Sequence, residues 1–392
     1  MNPHRKPLRS VCVFFAFFIA LFMIFTPYEA AGSMLPKHIA AGVSLAVLAP
    51  FIFLKRMGLK ASSFHVLLVS LVIALHTLFI RPTPGHFTLL ILANFMVAVL
   101  IYELSFKWIN EFKAALACLL ILNIAAIVLQ LSLYYLYSTT IVDFHKLIFG
   151  SSSRFSEDYL NVRRFSGLHV EPGTYASYVG CLLSIFILVA RRNMITPVIV
   201  FAGVFSILLT NSASAVHFVI VVSALFGLLW KDGINKSLLA GFIVLVVAYA
   251  FYSGFYEHLS IRFFEQEDGS LSLRRSGVNS YFSLSGEDKF IGVGFDADPC
   301  HDCHYQDIGV LFNLFTRGGA IVMLVTSLLF LRAAAQNGIP FFVLAMALLI
   351  GEKMFVYEAP IWLFVLYAIS AIREPTPRIP TSLPRTAKIC LT

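Results

Sequence analysis

The chain has 392 residues, 59% hydrophobic and 13% charged, with a mean hydropathy of +0.84. Soluble domains carry roughly one-quarter charged residues, so this composition excludes an ordinary water-soluble fold. Basic residues outnumber acidic ones 29 to 21, a net charge of +8, yet no basic and aromatic surface of the nucleic-acid-binding kind accompanies it.

A membrane span needs about 20 largely apolar residues whose backbone bonds to itself, so the long apolar runs predict helices. The period-two alternation of an outer-membrane barrel is missing. Twelve spans are predicted: Val11–Thr26, His38–Leu54, Ser63–Ile80, His86–Tyr102, Lys113–Tyr137, Pro172–Ala190, Ile195–Thr210, Ser212–Trp230, Ser237–Phe251, Ile308–Leu331, Ile339–Ile350 and Glu358–Ile372. The eleventh is short. Glu352, Lys353 and Glu358 interrupt the apolar run there, so it is either half-inserted or merged with the twelfth. The expected fold class is all-α, a polytopic integral membrane helix bundle forming one domain over residues 1–372. Residues 373–392, with four prolines, predict a disordered cytoplasmic tail.

Lys and Arg accumulate in short cytoplasmic loops. Alternate connections hold Arg5, Lys6 and Arg9; Lys55, Arg56 and Lys60; Lys107 and Lys113; Arg191 and Arg192; Lys231 and Lys236; Arg332; and Arg373 onward. Those are predicted cytoplasmic, as are both termini. The other side shows only Lys37, Arg81 and Lys353 between spans, together with two long loops, 138–171 and 254–306. Arg5-Lys6 and the following apolar stretch also mimic a secretory signal, but a retained first helix is the expectation.

The polar chemistry is concentrated in the two outer loops. The first ends in Arg163-Arg164-Phe165-Ser166-Gly167-Leu168-His169-Val170-Glu171-Pro172. Guanidinium pairs bind diphosphate bidentately, although exposed arginines at a membrane surface also attract headgroups. Glu171 precedes a proline, which suits a helix start and its dipole. Its functional reading is a general base, with His169 as the substitute. In the second loop Arg262, Arg274 and Arg275 form another cationic cluster, either a partner for the first or a solvated balance to Glu265, Glu267, Asp268, Glu287 and Asp288.

Asp296-Ala297-Asp298 has the D-x-D spacing of metal-holding glycosyltransferases, a pattern too frequent in loops to support a metal site, and none is expected. Cys300-His301-Asp302-Cys303-His304 matches the C-x-x-C-H haem attachment pattern, with His304 as the iron ligand of a membrane redox protein. A disulfide between Cys300 and Cys303 and a zinc site are the competing readings. Within the spans, Arg317 either lines a polar cavity or lies before a span beginning at Gly318. Asn94, Asn123, Gln130 and His217 are expected to bond between helices. No inverted pair of broken helices of the transporter kind is evident in the sequence.

Taken together, the motifs resemble the bacterial O-antigen polymerase and O-antigen ligase superfamily over roughly residues 161–331. Arg164, Gly167, Leu168, Glu171 and Pro172 follow its R-x-x-G-L-x-x-E-P pattern. Leu209-Thr210-Asn211-Ser212-Ala213-Ser214 is similar to its turn before the eighth span, with Ala213 where arginine is usual. An arginine at 274 or 275, Gly292-x-Gly294, and His304 before a span with Gly318-Gly319 complete the order.

The resemblance implies transfer of a glycan from undecaprenyl diphosphate on the periplasmic face of the inner membrane, without a cofactor. Arg164, Glu171, Arg274, Arg275 and His304 would be catalytic. Arg163, His169, Arg262 and Arg317 would bind substrate. A chain-length regulator and a flippase of the same pathway are the implied partners. Tyr305, where ligases carry asparagine after the histidine, favours a polymerase over a ligase acting on lipid A core. A polysaccharide transporter is the alternative of a different class.

Overall fold

A computed structural model describes residues 5–26, 35–53, 59–82, 85–137, 141–153, 163–190, 195–230, 241, 244–245, 248–249, 251, 254, 269–295 and 308–370. Among these residues the chain is helical and contains no strand. The helices are α1 (Arg5–Phe25), α2 (Leu35–Phe53), α3 (Ala61–Leu75, continued by a widened turn His76–Ile80), α4 (Gly85–Ser105), α5 (Ile109–Tyr137), α6 (Phe144–Phe149) and α7 (Pro172–Val189). They continue as α8 (Ile195–Leu208), α9 (Ala213–Leu229), α10 (Gly269–Ser283), α11 (Gly286–Ile291), α12 (Val310–Asn337), α13 (Ile339–Gly351) and α14 (Ala359–Ile369).

Among the described residues, six segments are long and apolar enough to cross a membrane: Leu8–Phe25, Ala61–Ile80, Phe87–Ser105, Ile109–Leu136, Pro172–Val189 and Val310–Asn337. Five shorter apolar helices accompany them, and the ninth predicted span, Ser237–Phe251, falls mostly outside the described residues. Outward faces carry large apolar side chains, among them Phe15, Leu71, Ile121 and Leu324. A lipid surround would cover them; water would not.

Two helices form the centre. Every residue of α14 is buried, as is α7 from Pro172 to Leu188. They pack on each other, with α4 on one side and α5, α8 and α9 on the other. Helices α13 and α14 have 13 and 11 residues, so at 1.5 Å per residue they are about 20 and 16 Å long, against about 30 Å of hydrocarbon. The tip that joins them is the Glu352–Glu358 turn, and Asn337 Nδ2, at the end of α12, donates to the Ala368 carbonyl of α14 at 2.6 Å.

Local chemistry sets the breaks. Pro172, Pro340 and Pro360 occupy first turns, where the missing N–H costs nothing. Asp143 caps α6 by accepting from the Lys146 N–H at 2.8 Å, and Ser285 caps α11 through the Asp288 N–H at 3.0 Å. Helix α12 kinks at Gly319, where φ is 65°. The kink frees carbonyls of the preceding turn, and the Gly292–Gly294 strand-like segment takes them: Val293 N–H donates to Thr316 O at 3.1 Å and Gly294 N–H to Arg317 O at 3.0 Å.

Candidate functional site

The 163–171 segment does not stay outside the bundle. Residues 165–170 are all buried, and His169 is fully so. An irregular backbone inside an apolar bundle must find partners in the protein. Gln130 of α5 supplies them, its Oε1 accepting from the Ser166 and Gly167 N–H groups at 3.1 and 2.9 Å while its Nε2 donates to Val142 O at 2.6 Å. Asn211, in the turn between α8 and α9, donates to the Arg163 carbonyl at 2.7 Å. Gly167 sits at φ 57°, and a Cβ there would lie 3.1 Å from the Tyr175 ring, so both conformation and space favour glycine.

Deeper along α5, Asn123 Nδ2 donates to Leu119 O at 2.9 Å, which turns its Oδ1 toward His169 Nε2 at 3.0 Å. That network assigns the His169 proton to Nε2. Its Nδ1 is buried with no partner among the described residues. Burial lowers the imidazole to about 3, with His145 adding a smaller push, so His169 is neutral. It packs edge-to-face on Tyr175 at 5.3 Å. This is the environment of a residue that holds the segment in place.

Glu171 is the N-cap residue of α7, and its Oε1 lies 3.0 Å from Lys353 Nζ. Both side chains are partly exposed, at 28% and 19%. Gly173 leaves room for the ammonium, because a Cβ there would lie 2.7 Å from Nζ. The Lys353 N–H donates to Ser177 Oγ at 3.1 Å, and the Ser177 hydroxyl donates to Glu352. On the other side of the tip, Tyr178 donates to Glu358, which pairs with Lys37 at 2.8 Å. The Lys37 ammonium also lies 3.7 Å from the centre of the Phe355 ring. A small, half-open pocket adjoins this pair, lined by Met23, Lys37, Asn94, Tyr178, Glu358 and Pro360 among others.

At the rim, Arg163 donates to the Tyr134 hydroxyl and lies 4.9 Å from that ring. Arg164 is half-buried beside it. The second loop is pinned to the same end of the bundle. Arg81 pairs with Asp288 and donates from Nε to Gly292 O at 3.1 Å, and His76 Nε2 lies 2.7 Å from Ile291 O. Arg317 is buried two turns into α12, before the Gly319 kink, donating to Asn313 Oδ1 at 3.0 Å and Phe295 O at 2.7 Å. The bond to Phe295 O, with that from Arg81 to Gly292 O, holds the Gly292–Phe295 segment.

Arg274 and Arg275 lie on α10, which rests on α12 through Tyr281, 4.8 Å from the Phe315 ring and 5.6 Å from that of Phe312. Their side chains, and Arg262, Asp296, Asp298, Cys300, Cys303 and His304 entirely, lie outside the described residues. The structure therefore joins Arg163, Arg164, His169 and Glu171 in one segment, with Arg317 under the second loop. Among the described residues, no trio of His, Cys, Asp and Glu is placed to hold a metal.

Sequence reasoning missed Lys353, Glu352, Glu358 and Lys37 as members of a site. Their signal was present as the charged interruption between the eleventh and twelfth spans. Asn123 and Gln130 act on the entering segment, and Asn94 bonds within its own helix to Leu90 O at 3.0 Å; of the four, His217 joins two helices, with Nε2 2.9 Å from Ala347 O. No family model, curated protein or solved structure matches the chain.

Proposed function

We propose that the protein is a metal-independent glycosyltransferase of the bacterial inner membrane, polymerising undecaprenyl-diphosphate-linked oligosaccharide units on the periplasmic face. The topology that goes with it has twelve spans, cytoplasmic termini and both long loops in the periplasm. The reading rests on the order of the sequence motifs. One observation adds most to it: a single segment carries two guanidinium groups at the mouth of the bundle and, seven residues after Arg164, a carboxylate paired with Lys353.

In this reading the acceptor hydroxyl attacks the anomeric carbon, the bond to the diphosphate breaks, and the departing charge is held by Arg163 and Arg164, with Arg262, Arg274 and Arg275 from the second loop. Stabilising that charge where water is partly excluded is the main catalytic effect. Glu171, a carboxylate in its ion pair, accepts the hydroxyl proton, and His304 is the other candidate acceptor. Tyr305 favours a second lipid-linked unit as acceptor over the lipid A core of a ligase. A chain-length regulator and a flippase of the same pathway are its partners.

The ionisable groups inside the bundle favour a second reading, a polysaccharide transporter, because buried charges in membrane proteins mark substrate and ion paths. Cells tell the two apart. Replacing Arg164, Arg274 or Arg275 by Ala is expected to leave lipid-linked single units outside the inner membrane with no polymer ladder, while the protein still inserts. A normal ladder in all three variants would remove the proposed site, and single units trapped on the cytoplasmic side would favour transport.

A further inference from the structure

Two ion pairs account for most of the charge at the Glu352–Glu358 tip: Lys353 with Glu171 and Lys37 with Glu358. One carboxyl is left over. Glu352 is 1% exposed, receives a hydrogen bond from Ser177 on Oε2, and has a buried Oε1 with no partner among the described residues. An uncompensated carboxylate in such a place costs several kcal/mol, whereas a neutral acid costs far less.

Among the described residues no cation pairs with it. Glu358 faces it from its own turn and repels a second negative charge. From α7 come Ser177, Tyr178 and Cys181. From α9 comes His217, whose ring a Cβ at Gly351 would meet at 2.1 Å and whose Nε2 is turned to Ala347 O. Burial pushes the Glu352 carboxyl well above the usual range, opposed by the Ser177 bond and reinforced by Glu358.

We propose that Glu352 carries a proton in the resting protein and is a proton-binding site inside the bundle. With that proton the tip is neutral, holding two ammonium groups, two carboxylates and one acid. Release of the proton to water leaves one net negative charge beside Glu171 and Lys353. The protonation state of Glu352 therefore sets the charge of the candidate site. Glu352 has this role whether the protein transfers glycans or transports them.

The test is infrared difference spectroscopy on the purified full-length protein in lipid nanodiscs at neutral pH. A protonated-carboxyl C=O band, shifted in D2O, is expected in the native protein and in Glu358→Gln and Glu171→Gln, and is expected to be lost in Glu352→Gln. Because an amide imitates a neutral acid, Glu352→Gln should also keep the native thermal midpoint. Absence of the band from the native protein, its persistence in Glu352→Gln, or a Glu352→Gln variant that unfolds while Glu352→Asp folds would overturn the proposal. So would a native midpoint that rises with added sodium but not in Glu352→Gln, since a metal cation would then hold the site.

Discussion

Lys353 Nζ lies 3.0 Å from Glu171 Oε1 across 182 positions of sequence, tying the turn between α13 and α14 to the first residue before α7. Replacing Lys353 by Met removes the ammonium from the carboxylate. For a partly exposed pair the expected loss is about 1–2 kcal/mol, between the values for surface and buried pairs. Thermal unfolding in detergent reads it. The double exchange Glu171→Lys with Lys353→Glu is expected to recover stability without activity. Recovery of both would mean that the site needs only the pair, in either order.

Gln130 satisfies two backbone N–H groups of the entering segment with one oxygen. Gln130→Leu strands both, at about 1–3 kcal/mol each, whereas Gln130→Glu keeps an acceptor. Hydrogen exchange over residues 165–170 should accelerate in the first variant and stay closer to native in the second. Unchanged exchange in Gln130→Leu would show that the segment is held by something else.

His169 is neutral in the folded protein, lowered to about 3 by burial, against an ordinary value of 6.5. Between those values the unfolded chain binds the proton and the folded one does not, so stability rises with pH across that window and is lost on acidification through it. The slope from this one group approaches about 1.4 kcal/mol per pH unit. Comparing urea unfolding of native protein and His169→Gln from pH 4 to pH 7 isolates it, and parallel curves would refute it.

Gly292 and Gly319 meet backbone to backbone. A Cβ on Gly292 would come within 2.4 Å of the Arg317 carbonyl oxygen, at a φ of 90° that side chains rarely adopt. Gly292→Ala is therefore expected to cost about 1–3 kcal/mol from the backbone alone and to detach the second loop from α12. Faster proteolysis within the 254–306 loop, without loss of membrane insertion, is the readout.

The long apolar helices were legible because hydrocarbon leaves so few choices: Leu8–Phe25, Phe87–Ser105 and Ile109–Leu136 follow directly from runs of apolar residues. Composition could not reveal that residues 165–170 turn inward. That depends on Gln130 and Asn123, whose partners are long-range and whose residue types fit helix-to-helix bonding equally well. The turn between α13 and α14 was half legible. Glu352, Lys353 and Glu358 visibly broke an apolar run, but pairing with Glu171 and Lys37 is a tertiary fact with no local signature.

Reconstitution of the purified protein with a lipid-linked oligosaccharide tests the glycosyl-transfer account most directly. The native protein is expected to release undecaprenyl diphosphate and build a ladder of longer lipid-linked glycans, with Arg164→Ala and Glu171→Gln reducing the rate by at least about 100-fold, as loss of a charge-stabilising group or a general base does. A native protein that extends no chain, or variants that extend it at the native rate, would contradict the account.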